Sequence, residues 1–74
     1  MKYMLYSYTL NGQTGEHLNE NVETVTVKTL KELSDTMSSK GYKSLYGTFI
    51  TDSPVFTKPN GVDTDFVAAS LLGD

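Results

Sequence analysis

A helix start is written into Thr29-Leu30-Lys31-Glu32. In a capping box of this form the threonine hydroxyl accepts from the amide of the residue three positions on. The glutamate carboxylate reaches back to the amide of the threonine. Leu30, Leu33 and Met37 then recur at i, i+3 and i+7 as one apolar stripe. Lys40 sits where the negative end of the helix favours a cation, and Gly41 suits the left-handed residue that closes a helix. The pattern predicts a helix over residues 30–40.

The chain ahead of it reads as strands. Residues 2–10 are rich in Tyr, Met and Leu. Alternation puts Met4, Tyr6, Tyr8 and Leu10 on one face and Tyr3, Leu5, Ser7 and Thr9 on the other. Both faces are half apolar, which suits a central strand. Asn11-Gly12 follows as a tight-turn pair. Residues 13–21 lack clear alternation and read as a loop or a weak edge strand. Residues 22–28 read as a second strand, with Val25 and Val27 on one side and Thr24 and Thr26 on the other.

Behind the helix, residues 44–51 read as a third strand, Asp52-Ser53-Pro54 as a turn and residues 55–58 as a fourth strand. Lys58-Pro59-Asn60-Gly61 has the form of a β-turn with Pro at i+1 and Asn at i+2. Residues 62–74 admit two readings. Asp63 or Thr64 could cap a short helix holding Phe66, Val67, Ala69, Ser70 and Leu71, with Gly73 past its end. Alternatively residues 62–68 form a fifth strand. The helix is preferred, because Asp63 and Asp65 stand where a helix N-terminus favours acid. The expected class is therefore α+β. A small antiparallel sheet in β-β-α-β-β order carries one helix packed on one face, followed by a short C-terminal element. The other face would carry Tyr and Thr.

A chain of 74 residues makes one domain, residues 1–74, and buries only about 60% of its unfolded surface. It has no cysteine, so neither a disulfide nor a Cys-based zinc site can support it. Its stability needs either a well-packed core or a partner surface. No stretch approaches the about 20 apolar residues of a membrane span, and no signal peptide is visible. A soluble, cytoplasmic protein is expected.

The net charge is −3, and all six cations are lysines. Arginine is the preferred residue for bidentate contacts to guanine and phosphate, so its absence argues against nucleic-acid binding. His17 is the sole histidine and matches no nucleophile arrangement. Asp63-Thr64-Asp65 has a spacing that can hold a hard cation but lacks the other ligands of a calcium loop. Gly12 and Gly15 have no strand-to-helix context for a phosphate loop. No catalytic residue, cofactor or metal site is expected, and the chain is not read as an enzyme.

The tyrosines carry what remains. Tyr3, Tyr6, Tyr8, Tyr42 and Tyr46 outnumber the three phenylalanines. Tyrosine joins apolar area to a polar tip and is enriched at interfaces. The expected function is a small acidic protein-binding module contacting a protein partner through these tyrosines. Its size and composition suit an inhibitor or regulator from a phage or other mobile element. A self-assembling homodimer with a structural or accessory role is the alternative. A small-ligand binder or enzyme is third, because so short a chain can hardly spare a pocket unless two subunits build it.

Overall fold

A computed structural model of the chain describes residues 1–44 and 54–73. The fold is α+β. Its elements are β1 (Lys2–Leu10), β2 (His17–Thr26), α1 (Leu30–Ser39), β3 (Lys43–Ser44), β4 (Val55–Asn60) and β5 (Asp63–Gly73). The strands form one antiparallel sheet in the order β2-β1-β5-β4-β3. Residues 45–53, which hold most of the expected third strand and the Asp52-Ser53 turn, lie outside the described residues.

The helix begins and ends on local chemistry. The Glu32 amide donates to the Thr29 hydroxyl at 3.1 Å. The Glu32 carboxylate accepts from the amide of Lys28, at 3.0 Å, one residue further back than the box predicts. At the far end Gly41 has φ +93°. Its amide donates to the Ser38 carbonyl at 3.0 Å, and the Tyr42 amide donates to the Met37 carbonyl at 3.0 Å. This pair of bonds is a Schellman closure, which satisfies two orphan carbonyls and turns Tyr42 back beside Met37.

The C-terminal element corrects the preferred helix. Residues 63–73 form the longest strand among the described residues, seated in the middle of the sheet between β1 and β4. The acids read as a helix N-terminus work across strands instead. Asp63 accepts from the Gly12 amide at 3.0 Å. Asp65 accepts from the Thr9 hydroxyl at 2.7 Å and from the Asn60 side-chain amide at 3.3 Å. The preceding turn also shifts. Pro59 and Asn60 remain in β4, Asn60 pairs with Asp63, and Gly61-Val62 form a two-residue loop. Gly61 has φ +66° and Val62 does not share a positive φ, the pattern of a II′ hairpin turn.

The first hairpin is wider than the Asn11-Gly12 pair suggests. Residues 11–16 connect β1 to β2, held by the Asn11 amide donating to the Glu16 carbonyl at 2.8 Å. The Asn11 side chain accepts from the amides of Gln13 and Thr14 at 2.8 and 3.1 Å. β2 then starts at His17, inside the stretch read as loop or weak edge strand, and it lies at the sheet edge.

Among the described residues the core is one cluster: Tyr3, Leu5, Val27, Leu33, Met37, Phe56, Val67 and Ala69. Cross-strand register places Leu5 beside Ala69 and Val67 beside Phe56, so the sheet supplies its share from a single face. Leu33 and Met37 are the helix's two buried residues and belong to the same cluster.

Candidate functional site

The sheet's other face is built from the alternate residues. β1 contributes Met4, Tyr6, Tyr8 and Leu10. Their partners on β5 are Ser70, Ala68, Phe66 and Thr64. β4 adds Val55 and Thr57, and β2 adds Val22 and Thr24. The two central strands place no charge on this face between Met4 and Leu10 or between Thr64 and Ser70. Val22 is 59% exposed and Met4 36%, and no described residue outside the sheet is buried against them.

Aromatic rings organise its middle. Tyr8 stacks on Phe66 with centroids 5.3 Å apart and planes 11° from parallel. On its other side it stacks on His17 at 4.1 Å and 15°. Tyr6 leans on Tyr8 at 5.2 Å and 37°. Offset and tilted aromatic pairs at such distances add stability beyond their burial. The Tyr6 hydroxyl donates to the Glu20 carboxylate, which holds that acid on the same face. The bond to Glu20 also raises the Tyr6 pKa above its ordinary value.

Register turns these contacts into a row across the whole sheet. Lys43 pairs with Thr57, Thr57 with Phe66, and Phe66 with Tyr8. Opposite Tyr8, β2 bulges between the partners of Ser7 and Thr9, so Asn19 and Glu20 face that single residue. Asn19 takes φ 54° there, a conformation asparagine tolerates. The row thus reads Glu20, Tyr8, Phe66, Thr57, Lys43, with opposite charges at its two ends.

The five expected tyrosines separate. Tyr6 and Tyr8 lie together on this face, each half-buried. Tyr3 faces the other way and is 0% exposed, so its ring has no surface to offer a partner. Tyr42 packs at the margin of the core beside Met37. The Lys58 ammonium lies 5.7 Å from the Tyr42 ring centroid. Burial, and then the negative charge of Asp65, raises the Tyr42 pKa above its ordinary value. Tyr46 lies outside the described residues.

Two concavities flank Tyr42. One, of about 190 Å³, is lined by Ser7, Thr9, Tyr42, Asn60 and Asp65, with Tyr8, Asn19 and Phe66 also on its wall. The other, of about 90 Å³, lies among Leu5, Ser7, Glu23, Met37, Lys40, Tyr42 and Val67. Ligand pockets usually hold about 300–1,000 Å³, so neither is large enough to enclose a cofactor-sized molecule. Among the described residues no three His, Asp or Glu side chains converge as a metal site would require. No helix there is long and apolar enough to cross a membrane.

His17, Glu20, Lys43 and Phe66 join the face without having been singled out for it in the sequence. The helical reading of its segment hides Phe66, although Thr64, Phe66, Ala68 and Ser70 alternate with Asp65, Val67 and Ala69. The bulge at Asn19 breaks the period of β2, which hides His17 and Glu20. Lys43 joins only through pairings that no local pattern reveals.

Comparison with known proteins returned no matching family model, no matching curated protein and no matching solved structure.

Proposed function

We propose that this chain is a protein-binding module whose contact surface is the open sheet face centred on Tyr6, Tyr8 and Phe66. In this reading the helix closes the opposite face through Leu33 and Met37, and the protein works in the cytoplasm without catalysis. The supporting observation is the uncharged central strip from Met4 to Leu10 and from Thr64 to Ser70, with stacked rings at its middle. Interfaces favour aromatic residues and methionine at their centre and keep charge at the rim. Glu20 and Lys43 stand at the two edges in that arrangement. An enclosed ligand site is disfavoured by the small volumes beside Tyr42.

Val22 tests the reading with little risk to the fold, because its side chain is 59% exposed on this face. Tagged wild-type protein and Val22→Lys are used to capture native partners, the untagged chain included, with circular dichroism confirming that both are folded. Lys31→Ala serves as the control, since Lys31 is an exposed helix residue whose side-chain accessibility is 82%. The expected outcome is that Val22→Lys loses what the wild type captures while Lys31→Ala retains it. Equal capture by all three would remove this face as the contact surface.

A further inference from the structure

The charge pattern of the face points to a particular occupant. We propose that the open face takes a second copy of the chain, packed face to face about a two-fold axis running along the strands. Glu20 of each copy then pairs with Lys43 of the other. This rests on the contact-surface reading above and names the partner of that surface.

The face is complementary to itself. A two-fold interface presents the same patch from both sides, so each residue must suit the one its own symmetry mate brings. The row Glu20, Tyr8, Phe66, Thr57, Lys43 runs across all five strands with β5 in the middle. Rotation about an axis along β5 reverses that row onto itself. Phe66 meets Phe66, Tyr8 meets Thr57, and the acid at the β2 edge meets the lysine at the β3 edge. An axis in the same plane but perpendicular to the strands would instead set Glu20 on Glu20 and Lys43 on Lys43. Like charges brought together at an interface are strongly unfavourable, so the ends of the row select the first axis. Aligned sheets pack about 30° apart, an offset that long Glu and Lys side chains can span at the edge.

The area is adequate. β1 has nine residues. β2, β4 and β5 have ten, six and eleven. At about 3.4 Å per residue and about 4.8 Å between strands, these four strands together present a plane of about 600 Å². Two such faces bury about 1,200 Å², the lower end of stable specific interfaces. The uncharged strip supplies its apolar centre.

The test is the oligomeric state of the purified chain, measured by sedimentation equilibrium over a wide concentration range. The wild type is expected to be a dimer. Glu20→Lys and Lys43→Glu are each expected to weaken it about tenfold or more, and the double exchange Glu20→Lys/Lys43→Glu to return it to within about threefold of wild type. Both sites are exposed, and circular dichroism checks that each variant is folded. A wild type that stays monomeric throughout, or a double exchange no tighter than the single ones, overturns the proposal. In the monomeric case the contact-surface reading still stands or falls on the Val22→Lys capture experiment. A dimer that Val22→Lys leaves intact would sink the proposal, since that interface would lie elsewhere.

Discussion

Tyr3 and Tyr6 stand three residues apart on one strand and do different work. Strand alternation sends Tyr3 into the core, where its accessibility is 0%, and Tyr6 to the open face, where its hydroxyl reaches Glu20. Replacing a buried aromatic by alanine costs about 3–5 kcal/mol, because the cavity left behind closes only in part. A domain of this size has a total stability of about 4–11 kcal/mol at the usual value per residue. Tyr3→Ala is therefore expected to leave the chain close to unfolding at ambient temperature. Tyr6→Ala should cost less than half as much. Urea denaturation of the two variants side by side checks this, and equal midpoints would mean that the two faces are equally buried. Alternation along residues 2–10 makes the split between these tyrosines legible from sequence. It does not say which face is the core, because both carry apolar residues. That choice is settled where Leu33 and Met37 join Tyr3, Leu5, Val67 and Ala69 in one buried cluster, since β5 carries apolar residues on both faces as well.

Among the elements, the turns show most plainly how local chemistry and distant packing divide the work. Gly61 and Gly12 both occupy hairpin loops, and each is required for a different reason. Gly61 has φ +66° and open space around its missing side chain, so a substitution there meets only the intrinsic strain of a left-handed residue. Gly61→Ala is expected to cost about 1–2 kcal/mol. Gly12 has no positive φ, but a methyl group on it would overlap the Val62 carbonyl oxygen in the neighbouring turn. Main chain would have to move, so Gly12→Ala should cost about 3 kcal/mol, the upper range of overpacking. Thermal denaturation of both variants tests the order. A larger loss for Gly61→Ala would show that the two loops do not press together. The same contrast explains what the sequence could reveal about elements. Helix α1 is set by a cap, a stripe and a glycine within thirteen consecutive residues, Thr29 to Gly41, and it is legible to within one residue. Strand β5 is set by partners more than fifty residues away, since Asp63 answers Gly12 and Asp65 answers Thr9. Read locally, those acids resemble a helix N-terminus, and the strand becomes visible only once its neighbours are known. The row from Glu20 to Lys43 is further out of reach, because it needs four registers at once.

At the scale of the whole molecule, the strand order decides how the chain folds. The two strands that pair at the centre of the sheet, β1 and β5, come from opposite ends of the described chain, with Lys2 beside Gly73. Neither hairpin can complete the core alone. The β1–β2 hairpin supplies Tyr3 and Leu5, and the β4–β5 hairpin supplies Phe56, Val67 and Ala69. The helix has ten residues, below the about 12–15 that an isolated helix needs to be even marginally stable in water. It therefore persists only while Leu33 and Met37 are held in the cluster that both hairpins build. Every element depends on one non-local closure, so a single cooperative transition is expected. Urea unfolding followed by far-UV ellipticity, which reports helix and sheet, should coincide with unfolding followed by tyrosine fluorescence, which reports the packing around all five tyrosine rings together. Refolding should be slow for so short a chain, in the range of milliseconds to seconds, because the entropy of joining β1 to β5 is lost before their contacts form. Separate midpoints by the two probes would show that one hairpin holds structure without the other. Refolding in microseconds would mean that local contacts, not the β1–β5 pairing, limit the rate.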